Sequence, residues 1–157
     1  MTEAYNNIEI SVACDEDVPD PAFIRNWVTR TVESARNDGR AREVSVRIVG
    51  TDEVRTLNRD YRQRDYATNV LSFPTGDIEG LPEEEALALG DVVICAPVVA
   101  DEASQQGKEL ADHWAHMLVH GTLHLLGYDH EAEHEALAME TLETGILAAG
   151  GVNDPYE

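Results

Sequence analysis

Positive charge is scarce in this sequence. It carries 11 Lys and Arg against 31 Asp and Glu, a formal net charge of -20, and beyond Arg64 the only Lys or Arg is Lys108. Such a field repels nucleic acid and anionic membrane at long range and attracts basic proteins. An acidic surface kept for solubility accounts for it as well. Cysteine is also sparse. Cys14 and Cys95 stand alone, with no CxxC pairing, which argues against a zinc finger or a disulfide scaffold and reads as two reduced thiols in a cytosolic protein. No apolar run is long enough to cross a bilayer. The opening MTEAYNNIEI lacks the basic region and apolar stretch of a secretory signal, so a cytoplasmic protein with no membrane partner is expected. Repeats and linkers are absent too, and residues 1–157 read as one domain, long enough to bury a core without staples.

What is present alternates between strand and helix patterns. Residues 7–14 alternate apolar and polar, as a half-buried strand does. Asp20-Pro21 suits a helix start, with Ile24, Trp27, Val28, Thr31 and Ala35 at helical spacing and Gly39 as a stop. Val44, Val46 and Ile48 mark a second strand, and Thr51-Asp52-Glu53 opens a short helix to about Tyr61. Residues 69–73 read as a third strand stopped by Pro74, residues 75–88 as a Gly-, Pro- and Glu-rich loop, and residues 92–95 as a fourth strand. Three helices follow: one from Pro97 to Gly107, one from about Glu109 to Leu126 that is apolar almost all round, and one from about Glu131 to Ala149. The order β-α-β-α-β-β-α-α-α predicts an α+β domain, a four-stranded mixed sheet packed with about five helices.

The chemistry gathers in one segment, HGTLHLLGYDH, residues 120–130. His120 and His124 lie four apart, so a helix points both rings to one face. Gly127 permits the left-handed turn that would bring His130 back beside them. Three imidazole ligands suit zinc, one ion per chain, with a coordination position left open as catalytic sites keep it. The spacing matches that of the metzincin proteases, but those need a Glu directly after the first His as general base. Here that position is Gly121, which moves no proton. His116 lies one turn before His120 and is a candidate for supporting the ligands or lining the cleft. Asp129, beside His130, is a candidate for orienting a ligand ring, or simply for forming a turn. His113 and His134 are expected on the surface. Arg55, Arg59, Arg62 and Arg64 crowd into ten residues of an acidic chain. Guanidinium groups grip phosphate through paired hydrogen bonds, and a solvated helix face paired with Asp60 and Asp65 is the plainer account.

These residues resemble those of a known family, the bacterial YbeY endoribonucleases. HGTLHLLGYDH is similar to the family's histidine signature, with HWAHMLVHG leading into it. LNRDYRQRDYATNVLSFP (57–74) and LGDVVIC (89–95) resemble its other blocks, and the likeness runs from about residue 40 to the end. The resemblance implies zinc on His120, His124 and His130 and a functional arginine at Arg62. It also implies a single-strand-specific endoribonuclease acting on rRNA, notably at the 3′ end of the small-subunit rRNA, and in ribosome quality control. The nucleophile stays open between water and the RNA 2′-hydroxyl. Two other accounts stand beside it: a zinc metalloprotease-like hydrolase, and a non-catalytic protein whose metal braces the fold while its acidic surface docks ribosomal proteins or a ribosome-associated GTPase.

Overall fold

The computed structural model describes residues 7–36, 38, 40–75, 87–128 and 132–155. The elements follow the expected order: β1 (Asn7–Ala13), α1 (Pro21–Ala35), β2 (Arg42–Val49), α2 (Thr51–Arg62), β3 (Val70–Pro74), β4 (Leu87–Cys95), α3 (Ala96–Gln106), α4 (Leu110–Leu125) and α5 (Glu133–Ala149). The four strands form one mixed sheet in the order β1-β2-β4-β3. β1, β2 and β4 run parallel, and β3 pairs antiparallel with β4.

Alternation along the strands sorts the two faces. Ile8, Val44, Val46, Ile48, Val92 and Ile94 point into the main core with Ile24, Trp27 and Val28 of α1 and the apolar side of α4. A smaller core, Val49, Val54, Leu71, Val93 and Cys95, lies on the opposite face under α2. Burial raises the pKa of the Cys95 thiol and keeps it protonated. α4 packs on α1, α3, α5, β3 and β4, which explains its nearly continuous apolar sequence.

Three expectations need correction. β4 extends back to Leu87 rather than starting near Val92, because residues 87–91 pair with the start of β2; Leu87 and Leu89 do alternate with Ala88 and Gly90, but the Gly-, Pro- and Glu-rich run just before them made the stretch read as loop. Pro74 lies inside β3, at its end. It sits on the sheet's edge, where its missing N–H removes no ladder bond. His113 is buried, at 2% exposure, because α4 is covered on this side too. Burial lowers the pKa of its ring, and its Nε2 lies 3.0 Å from Glu102 Oε1. The helix stop expected at Gly39 falls outside the described residues; α1 itself ends at Ala35.

Gly121 sets how closely α4 lies on the sheet. A Cβ there would meet Val92 Cγ1 at 2.7 Å and Val70 Cγ2 at 3.1 Å. The Ser72 hydroxyl donates to the Gly121 carbonyl at 2.8 Å, fastening β3 to the helix. Gly121→Ala should therefore lower stability. Overpacking costs about 1–3 kcal/mol, against a gain of roughly 0.5–1 kcal/mol from alanine in a helix interior. Gly145, in α5, has nothing within 4 Å of the equivalent position. Gly145→Ala should shift the denaturation midpoint the opposite way, and equal shifts in both variants would contradict this account of Gly121.

Candidate functional site

α4 ends in a turn centred on Gly127, whose φ of 98° only glycine adopts without strain. The last turns of this helix carry His120 and His124 side by side, with their Nε2 atoms 3.1 Å apart. His120 turns its other nitrogen inward, where Nδ1 lies 3.1 Å from Glu143 Oε2. The second oxygen of Glu143 is hydrogen-bonded to His116 Nε2. Glu143 reaches in from α5 and is fully buried, at 0% exposure. Burial alone would push its carboxyl up, but the hydrogen bonds from His116 and His120 overcome that and hold its pKa down to about 2. An ionised carboxylate only accepts hydrogen bonds, so the facing nitrogens carry the protons. In a neutral His120 ring, a proton on Nδ1 leaves the lone pair on Nε2, on the side of His124.

His116, His120 and Glu143 form a group of metal-binding type, with ligand atoms within 4.8 Å of one another. Each Glu143 oxygen in it is already hydrogen-bonded to a ring nitrogen. Its geometry is that of a carboxylate that orients histidine rings. The Nε2 atoms of His120 and His124 are also 3.1 Å apart, but both are ring nitrogens, and in neutral rings both can offer lone pairs. Nitrogens held ~2.0–2.1 Å from one tetrahedral ion lie roughly 3.3 Å apart, close to the observed separation. This donor set therefore fits a divalent ion on the cleft side. Asp129 and His130 lie outside the described residues.

The cleft in front of the pair has a volume of about 590 Å³ and is lined by Arg62, Arg64, Asn69, Val70, Ser72, Pro74, His120, His124, Gly127 and Tyr128. The arginine segment divides here. Arg55 is paired with Asp65 at 2.7 and 3.2 Å, and Arg59 with Asp60 at 3.1 Å, as in a solvated helix face. Arg62 closes α2, and Gln63 follows in the left-handed conformation at φ 56°. That reversal lets Arg62 and Arg64 both face the cleft. Among the described residues Arg62 has no hydrogen-bonding partner, and Arg64 reaches only the Tyr66 hydroxyl, at 3.3 Å. His134 is exposed on α5.

Sequence reasoning missed Glu143. It is one of several acids in α5, 23 residues beyond His120. The signal was there: Met139, Glu143, Ile146 and Leu147 share the buried stripe of that helix, and a carboxylate in such a stripe needs a partner.

Comparison with known proteins gives one consistent result. The profile of the family described as Endoribonuclease YbeY matches residues 10–151. A protein named Endoribonuclease YbeY from Halorhodospira halophila is 58% identical over 139 residues, covering 88% of each chain. Another of that name from Cellvibrio japonicus is 54% identical over 157 residues, covering 100% of this chain and 85% of its own. The solution structure of TM1509 from Thermotoga maritima shares the fold, with a TM-score of 0.56 at 24% identity over 96% of this chain and 99% of that one.

Proposed function

Since the chain belongs to the YbeY family of endoribonucleases, we propose that it cuts single-stranded RNA in rRNA processing. The reading includes maturation of the 3′ end of the small-subunit rRNA, ribosome quality control and a cytoplasmic setting. The observation that carries it is the meeting in one cleft of the His120–His124 pair with Arg62 and Arg64, in a chain whose net charge is -20. Two guanidiniums with no carboxylate partner among the described residues, beside a metal-type donor set, suit a phosphodiester.

In this reading His120, His124 and His130 hold one zinc ion. When bound, the ion supplies a Lewis acid and lowers the pKa of water toward ~7. The remaining work falls to the chain. Arg62 grips the scissile phosphate through two hydrogen bonds and offsets charge developing on its oxygens. Glu143 keeps His120 in the tautomer that presents Nε2. The acidic surface favours delivery of RNA by basic ribosomal proteins or within a ribosome-associated complex. A protease reading meets a steric objection: a Glu at position 121 would start its side chain 2.7 Å from Val92 Cγ1.

The test is metal analysis joined to cleavage. Purified protein should hold about one zinc per chain and cut labelled single-stranded RNA. His124→Ala should lose both the metal and the cutting while keeping its fold by circular dichroism. The product ends identify the nucleophile: a 2′,3′-cyclic phosphate marks the 2′-hydroxyl, and its absence marks water. Full cleavage by His124→Ala, free of contaminating nuclease, would overturn the proposal.

A further inference from the structure

β3 is one of the two edge strands of the sheet, and its register determines which of its peptide groups face the cleft. The Cys95 N–H donates to the Asn69 carbonyl at 2.9 Å, and the Thr75 N–H to the Leu89 carbonyl at 2.9 Å. In an antiparallel pair hydrogen-bonded and non-bonded positions alternate. Leu71 and Phe73 therefore bond to β4, while the peptide groups of Val70, Ser72 and Pro74 turn outward. These same three residues line the cleft with Arg62, His120 and His124.

Two of the three outward positions offer no free N–H. The Val70 N–H donates to Asn69 Oδ1 at 2.7 Å, and Glu102 holds that amide in place at 3.0 Å. Pro74 has no N–H. What remains is one donor, the Ser72 N–H, and three acceptors, the carbonyls of Val70, Ser72 and Pro74. Among the described residues none of the four is paired. A peptide added as a fifth strand needs alternating donors and acceptors, and here it would find its acceptors served by a single N–H. Nucleobases fit better. Each of the four carries a donor beside an acceptor on its Watson–Crick edge, and each brings at least one N–H.

We propose that the outward edge of β3 binds unpaired bases. The N–H and C=O of Ser72 engage the Watson–Crick edge of one base next to the scissile phosphate, with Arg62 and Arg64 holding the backbone on either side. This rests on the endoribonuclease reading and deepens it. A peptide group accepts all four bases, so it imposes little sequence preference. It rejects a base already paired in a duplex, so preference for single strands follows from the geometry of β3.

The test uses the intact protein and a short single-stranded RNA whose cleavage position has been mapped. Each uridine near the cut is replaced in turn by 3-methyluridine, which blocks the Watson–Crick edge, or by 5-methyluridine, which adds the same bulk elsewhere. At one position beside the cut, the 3-methyl base should lower kcat/KM by about tenfold or more, and the 5-methyl base should not. Cleavage that tolerates 3-methyluridine everywhere overturns the proposal and leaves the endoribonuclease reading intact. Tolerance combined with competitive inhibition by an extended peptide assigns the edge to strand addition instead. Failure to cut the unmodified RNA sinks the endoribonuclease reading, and this proposal with it.

Discussion

Arg62→Ala is expected to slow RNA cleavage by about a hundred- to a thousandfold while leaving metal content and melting temperature unchanged. The size follows from removing one fixed positive donor aimed at charge that develops during the reaction. The selectivity follows from position. Arg62 is exposed at the end of α2 and has no partner among the described residues, so its loss breaks no contact that holds the fold. Arg55 is different: its exposed pair with Asp65 belongs to a class worth little to stability, and Arg55→Ala should leave cleavage near normal. Arg62→Lys keeps the charge but loses the planar fork, so it should recover only part of the rate. Single-turnover kinetics on metal-replete protein distinguish these outcomes. A fall in Arg62→Ala that tracked lost metal or lost fold would remove Arg62 from the reaction.

Replacing Glu143 should weaken metal binding by about ten- to a hundredfold, although on this account Glu143 does not touch the ion. Glu143→Gln retains one oxygen to accept from His120 Nδ1 and turns an amide toward His116. Glu143→Leu retains neither hydrogen bond. Metal affinity, measured by competition with a chelator, should fall in the order Glu, Gln, Leu, and excess metal should restore much of the cleavage in the Gln variant. A merely structural role would instead lower the melting temperature of the metal-free protein and leave affinity unchanged in whatever remained folded. Equal affinity in all three forms would refute the orienting role.

The fold was largely legible because its elements announce themselves locally. Alternation marked β1 and β2, Pro97 and Gly107 bracketed α3, and the apolar breadth of α4 predicted its central place. What escaped depended on tertiary context. The first half of β4 forms because β2 is there to pair with it, and His113 is buried because neighbours cover a side of α4 that carries a polar residue. The site divides in the same way. His120 and His124 could be placed together from their spacing, since a helix fixes that relation. Which of four arginines face the cleft depended on the left-handed Gln63, and nothing in its residue type announces that conformation. Glu143 was hidden by sequence distance, and the edge of β3 by its nature, since peptide groups are present at every position and only register decides which are free.

The placement of Glu143 on α5 also bears on how the protein is made. His120 and His124 leave the ribosome before the carboxylate that hydrogen-bonds the His120 ring, which is encoded 23 residues after it. At about 5–20 residues per second, translation leaves an interval on the order of seconds in which the ligand helix exists without its orienting partner. The centre is completed only when the last helix docks. On the proposed reading, a nascent chain therefore reaches its full metal affinity only after synthesis has passed α5 and that helix has docked.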